Sequence, residues 1–119
     1  MSEKITIWGR EFKLDVNYEI IDDDKITDKQ KNTRIEFCKN IPDELINPNK
    51  IKDYCLKKDG EEIGNCIDNI FKYVIPQELF IGEDRVSVMC NYKFDMEHGI
   101  AIIFENNSFK KICSQDDIF

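Results

Sequence analysis

The fold of this chain is decided by one stretch near its end, VSVMCNYKFDMEHGIAIIFENNSFKKI (residues 86–112). Alternation of period two from Arg85 predicts a strand with one apolar face, formed by Val86, Val88, Cys90 and Tyr92. The near-continuous apolar run from Ile100 to Glu105 is typical of a central strand that is covered on both faces. Asn106-Asn107 is a hairpin turn signal, after which residues 108–112 return. The stretch therefore predicts three consecutive strands.

A second strand signal lies near the start of the chain. Residues 12–20 alternate between apolar and polar, with the apolar set Phe12, Leu14, Val16, Tyr18 and Ile20. Ile5 and Ile7 predict a shorter strand before it, and Gly9-Arg10 predicts the turn between the two. The acidic run Asp22-Asp23-Asp24 is expected to end the second strand, because Asp is a poor strand former.

The middle of the chain predicts two helices. Thr27-Asp28-Lys29-Gln30 fits a capping box, which predicts a helix from Asp28 to about Lys39. After a short connector at residues 41–46, Asn47-Pro48 predicts a second helix that ends near Lys58 and is closed by Asp59-Gly60. Residues 61–69 form a predicted loop. Residues 70–75 are ambiguous between strand and helix and are expected to stop at Pro76, before a short strand at residues 78–81.

Strands, then two helices, then a run of strands predict a single α+β domain over residues 1–119. We expect an antiparallel β-sheet with a helical hairpin packed on one face. The predicted core consists of Phe12, Leu14, Val16, Val86, Val88, Ile100, Ile102 and Phe104.

Composition narrows the class of partner. The net charge of −7 argues against nucleic acid as a ligand and favours basic protein partners, since phosphate binding depends on clustered Lys and Arg. No apolar run approaches the ~20 residues that cross a bilayer, and no secretory signal is recognisable, so we expect a cytoplasmic protein without membrane contact. The five Cys include no Cys-x-x-Cys pair, so they are expected to be free thiols.

The only His of the chain, His98, stands in the sequence Asp95-Met96-Glu97-His98-Gly99. This sequence is typical of a turn in which Gly99 supplies a positive φ. A partner contact and a metal or acid/base site remain the alternatives, although one His leaves only carboxylates or thiols as further ligands. Cys90 falls on the apolar face of its strand, which favours a core position over an activated nucleophile. The sequence contains no phosphate-binding loop or nucleophile elbow, and we expect no cofactor.

Four segments resemble a family of small bacterial proteins: Ile26-Thr-Asp-Lys-Gln30, Tyr73-Val-Ile-Pro76, Asp95-Met-Glu-His-Gly-Ile-Ala101 and Gln115-Asp-Asp117. Some proteins of this type resemble immunity proteins of contact-dependent growth inhibition and other polymorphic toxin systems. The resemblance implies a protein that binds the C-terminal domain of a toxin, often a basic nuclease, and blocks its active site. It brings no catalytic residues.

The leading hypothesis is therefore an immunity protein that is not an enzyme and acts as a monomer in a 1:1 complex with its toxin. The expected partner-binding residues are Glu83, Asp84, Asp95, Glu97, His98, Asp116 and Asp117, with no catalytic or metal-binding residue. The alternatives are a small metal-dependent or hydrolytic enzyme centred on His98, and a regulatory protein-binding module.

Overall fold

A six-stranded sheet organises the computed structural model, which describes residues 1–21 and 25–118. The expected role of Asp22, Asp23 and Asp24 lies outside the described residues. The strands are β1 (Ser2–Ile7), β2 (Arg10–Tyr18), β3 (Val74–Ile81), β4 (Arg85–Tyr92), β5 (Ile100–Glu105) and β6 (Ser108–Ser114). The helices are α1 (Asp28–Lys39) and α2 (Asn49–Ile63), with single 3₁₀ turns at Asp43–Leu45, Ile70–Lys72 and Gln115–Ile118.

The strands follow each other across the sheet in sequence order. Every neighbouring pair is antiparallel except β2 and β3, which are parallel. The predicted α+β class is thus confirmed, and the sheet adds one parallel junction that the sequence pattern does not reveal. Parallel neighbours need a long crossover connection, and the segment that carries both helices provides it.

The main core lies between one face of the sheet and the two helices. The predicted core residues are buried, except Phe12, which is partly buried and packs against the others. Phe37 of α1 contacts Phe104 with ring centroids 5.4 Å apart, and α2 contributes Ile51 and Cys55 to the same cluster. A smaller cluster of Met89, Ala101 and Ile103 lies on the opposite face. The residues of β5 from Ile100 to Phe104 are all fully buried, as their apolar run predicts.

The first hairpin turns at Trp8-Gly9, one residue earlier than predicted. Both residues have positive φ, 50° and 83°, as a type I′ turn requires. Trp8 accepts this conformation because its ring is held inside the protein: it is 9% exposed, and Nε1 donates to the carbonyl of Glu44 at 2.9 Å. Strand β2 ends at Tyr18, so Ile20, expected to face the core, is instead 76% exposed.

The capping box of α1 is confirmed, and it does more than start the helix. Thr27 Oγ1 accepts from the Gln30 backbone N–H at 3.1 Å, and Gln30 Oε1 accepts from the Thr27 N–H at 2.9 Å. Gln30 is fully buried, and its Nε2 also donates to the carbonyls of Glu19 at 2.7 Å and Ile81 at 3.1 Å. These carbonyls stand where β2 and β3 end. One side chain therefore ties the helix to the parallel junction.

Helix α2 continues to Ile63, beyond its predicted end near Lys58, although its regular backbone does break directly after Lys58. Asp59 interrupts the helix with φ −131° and ψ 31°, and Gly64 closes it with φ 105°. At the kink the Asp59 carboxylate accepts a hydrogen bond of 2.5 Å from the hydroxyl of buried Tyr92. A buried phenol requires a partner, and the kink brings one to it.

Pro76 was predicted to end the segment before it, but it lies inside β3. The register between β3 and β4 shifts between Pro76 and Glu78. Such a bulge accommodates a residue that has no N–H to give to the ladder. The ambiguous segment before it divides into the Ile70–Lys72 turn and the first residues of β3.

Gln30→Met should lower the free energy of unfolding by about 3 kcal/mol, because the Glu19 carbonyl and the Thr27 N–H lose their Gln30 partner at about 1–3 kcal/mol each, whereas the Ile81 carbonyl keeps the Glu19 N–H. Urea unfolding measures the change. Gln77→Met is the control, since Gln77 is exposed in β3, and it should stay within about 0.5 kcal/mol of the parent. Equal losses in the two variants would contradict the role given to Gln30.

The free energy of unfolding should also fall as the pH rises from 9 toward 11. Burial raises the pKa of the Cys55 thiol from an ordinary 9.0 to about 11, and burial also raises the pKa of Cys90 and Tyr92. As the pH rises, the unfolded chain therefore loses these protons before the folded protein does. The stability that the buried neutral groups contribute is fully present below pH 9 and is lost as the pH rises through 11. Urea unfolding at pH 8, 9.5 and 10.5 tests this. Cys55→Ala should reduce the slope of this dependence, to which Cys90 and Tyr92 still contribute, whereas Cys66→Ala, at an exposed thiol, should leave it unchanged.

Candidate acidic end surface

The predicted partner-binding residues divide between the two ends of the sheet. Glu83 and Asp84 lie in the loop between β3 and β4. The other five follow the far end of β4 or the end of β6. Strand β4 has eight residues, which at roughly 3.3 Å each places the two groups about 25 Å apart. The structure therefore offers two separate candidate surfaces.

At the far end, Asp95 and His98 form the turn expected from the sequence. Asp95 Oδ1 accepts from the His98 backbone N–H at 3.2 Å and also lies 3.2 Å from His98 Nδ1. The Gly99 N–H donates to the carbonyl of Asp95 at 2.7 Å, and Gly99 has φ 64°. The turn interpretation of this segment is confirmed.

His98 also makes a contact outside its own turn, because its second ring nitrogen reaches the C-terminal turn (Gln115–Ile118). His98 Nε2 lies 3.0 Å from Asp116 Oδ2. The imidazole thus stands between two carboxylates, and it can donate to both only in its protonated form. Two segments that are far apart in sequence meet at this side chain.

Gln115 fixes the C-terminal turn to the end of the sheet. Its Nε2 donates to the carbonyl of Cys90 at 3.0 Å and to that of Ile100 at 3.3 Å. The backbone is so close here that a Cβ on Gly99 would lie 2.3 Å from the Cys90 oxygen. Glycine is therefore required at residue 99 for space as well as for its positive φ.

We call the result the acidic end surface, formed by Asp95, Met96, Glu97, His98, Asp116 and Asp117. Glu97 and Asp117 are exposed and make no hydrogen bond or ion pair with other described residues, so their carboxylates are available to a partner. Met96 is 68% exposed among them. An exposed apolar side chain in the same turn as exposed carboxylates suits a protein surface that carries both Lys or Arg and an apolar spot.

At the opposite end, Glu83 and Asp84 form contacts with other residues of the same fold. Glu83 accepts from Thr27 Oγ1 through its carboxylate at 3.3 Å and from the Thr33 hydroxyl through its carbonyl. Asp84 lies 3.7 Å from Lys29 Nζ, and both side chains are mostly exposed. These groups border an open depression of about 450 Å³ between α1 and the turn at Asn106-Asn107. The carboxylates of Glu83 and Asp84 are therefore already partly paired with groups of α1 and its N-cap.

The core position expected for the Cys90 thiol is confirmed. Cys90 is fully buried, its Sγ contacts the carbonyl of Val88 at 3.7 Å, and burial raises the pKa of the thiol. Its carbonyl, rather than its sulfur, meets the C-terminal turn. Within residues 1–21 and 25–118, no group of three or more His, Cys, Asp or Glu side chains is arranged to hold a metal ion.

Sequence reasoning missed Gln115 and Met96. Gln115 sits beside the acidic pair Asp116-Asp117, and nothing in that pattern indicates that its amide binds two carbonyls of other strands. Gly99 is the one sequence feature that agrees with crowding here, but a glycine does not indicate which neighbour lies against it. Met96 is visible as a lone apolar residue in an acidic turn, which is a weak signal of an exposed contact.

Comparisons with protein-family models, curated proteins and solved structures find no match to this chain. Among the helices of the described residues, none has the length and apolar character needed to span a membrane.

His98→Ala should speed backbone amide exchange in the C-terminal turn while lowering the free energy of unfolding by less than about 1 kcal/mol, because the contact between His98 and Asp116 is partly exposed to solvent. Hydrogen exchange with mass spectrometry measures the first effect, and urea unfolding the second. Met96→Ala, in the same turn but without a bond to the tail, should leave exchange unchanged. Unaltered exchange in His98→Ala would show that Gln115 alone holds the turn.

Proposed function

We propose that this protein is a bacterial immunity protein that binds a cognate toxin domain and occludes its active site. The observation that carries the proposal is the meeting of two acidic segments, Asp95–His98 and Asp116-Asp117, on one surface. Both segments belong to those that resemble a family of small bacterial proteins, some of which resemble immunity proteins, and the net charge of −7 agrees with a basic partner.

The acidic end surface is suited to a basic partner. Toxin domains that cleave nucleic acid hold phosphates with Lys and Arg, and carboxylates can occupy the same positions. Glu97 and Asp117 would pair with these cations, while Met96 would fill an apolar depression between them. Complementary charge would also accelerate encounter with the toxin, which matters for an inhibitor that must act before the toxin reaches its substrate.

His98 would act in this complex as a support rather than as a catalyst. Held between Asp95 and Asp116, it keeps the loop and the C-terminal turn in one arrangement, so the carboxylates around it are positioned before binding. We further propose that the protein works in the cytoplasm, as a monomer in a 1:1 complex.

Glu97→Lys/Asp117→Lys tests the surface without removing a bond of the fold. The partner is the toxin domain that a tagged pull-down from source-organism lysate retains and mass spectrometry identifies, purified in catalytically inactive form. The double variant should weaken binding, measured by calorimetry, by about 3 kcal/mol, roughly a hundredfold. It should also fail to protect a bacterial host that expresses the active toxin.

Glu61→Lys/Glu62→Lys is the matched control. Both residues are exposed in the last turns of α2, and the substitution changes net charge by the same amount. This control should bind and protect like the parent. Equal weakening in both variants would assign the effect to net charge alone, and unchanged binding in Glu97→Lys/Asp117→Lys would remove the acidic end surface from the interface.

The enzyme alternative has its own test. Elemental analysis of the purified protein would detect a stoichiometric metal. Such a metal, lost in His98→Ala, would replace the immunity proposal with a metal-dependent activity at His98.

A further inference from the structure

A shallow apolar groove runs between α2 and the outer strand β6. Its floor is formed by Tyr54, Phe109 and Ile112, which are only partly buried although they pack against the main core. The groove encloses about 330 Å³ and is open to solvent. Strand β6 is an edge strand, because it pairs on one side only, and at this edge α2 leaves the three side chains partly uncovered.

The rim of this groove is basic, although the protein is acidic. Lys50, Lys57 and Lys111 line it, together with the single carboxylate of Asp53. Lys50 lies 3.3 Å from Glu44 and 4.5 Å from the centre of the Phe109 ring. Lys57 and Lys111 are exposed and form no ion pair with any side chain of the described residues. The rim therefore presents positive charge that the fold does not neutralise.

The basic groups have a regular spacing. Lys50, Asp53, Tyr54 and Lys57 stand at i, i+3, i+4 and i+7 of α2, before the kink at Asp59, and so share one helical face. Seven helical residues span about 10.5 Å. An opposing helix with carboxylates at i and i+7 and apolar side chains at i+3 and i+4 has the same spacing of complementary groups. Its apolar residues would meet Tyr54, Phe109 and Ile112.

We propose that this lysine-rimmed groove is a second docking site, and that its occupant is an acidic amphipathic helix of a partner protein. Charge complementarity favours this occupant. The lysines of the rim attract carboxylates, and the apolar floor binds apolar side chains such as Leu. The site lies apart from the acidic end surface and is opposite to it in charge. The proposal does not rest on the immunity function.

The test uses a synthetic, fluorescein-labelled peptide of about 15 residues, the length at which an isolated helix begins to be stable. It carries Glu at i and i+7 and Leu at i+3 and i+4 on an Ala/Gln background. Fluorescence anisotropy with the full-length protein should show saturable binding. A peptide with Lys in place of Glu, and one with Ser in place of Leu, should each bind at least about tenfold more weakly.

Lys57→Glu/Lys111→Glu should weaken binding of the Glu/Leu peptide about tenfold or more, since two attractions become repulsions. Lys31→Glu/Lys39→Glu, at two exposed lysines of α1 outside the groove, alters net charge equally and should change affinity less than twofold. Circular dichroism confirms folding of each variant.

Absence of binding, equal binding of the Lys peptide, or equal effects of the two variants would overturn the proposal. A dimer that the peptide does not dissociate, but that Lys57→Glu/Lys111→Glu abolishes, would overturn it in favour of a second copy of this chain as the occupant.

Discussion

The buried amide of Gln30 joins three parts of the chain: the start of α1, the end of β2 and the end of β3. Each polar atom of the amide has a partner: the Thr27 N–H and the carbonyls of Glu19 and Ile81 all bond to this one buried side chain. The Glu19 N–H completes this arrangement by donating to the Ile81 carbonyl at 2.8 Å. With this corner fixed, α1 lies across the sheet and places Phe37 over Phe104.

The acidic end surface depends on that arrangement indirectly. Strands β4, β5 and β6 form a meander whose near end faces α1 and whose far end carries the loop of Asp95 and the C-terminal turn. At the far end α2 contacts Tyr92 through Asp59, while the loop and the C-terminal turn are held by the contacts of His98 and Gln115. A rigid sheet with loops at its ends is a common way to position binding residues. The charged groups therefore stand on a fixed support while remaining accessible.

Local sequence signals predicted the parts of this fold that depend on neighbouring residues. The capping box at Thr27, the alternation along β4 and the Asn106-Asn107 turn each contain their own physical cause within a few positions. The parallel junction could not be predicted in this way, because the partner of β2 is chosen by the crossover of the chain. The kink at Asp59 depends on Tyr92, and the pairing of His98 with Asp116 depends on the path of β6. These contacts arise only after tertiary packing.

The parallel junction also has a consequence for how the chain reaches its native state. Strands β3 to β6 pair through short connections, as do β1 and β2, so each hairpin can close at small entropic cost. The pairing of β2 with β3 instead brings together residues such as Asn17 and Glu78, which are 61 positions apart. Contacts of such high sequence separation slow folding. We therefore expect the two hairpin units to form first, and docking of β2 on β3, together with burial of the helices, to be the rate-limiting event.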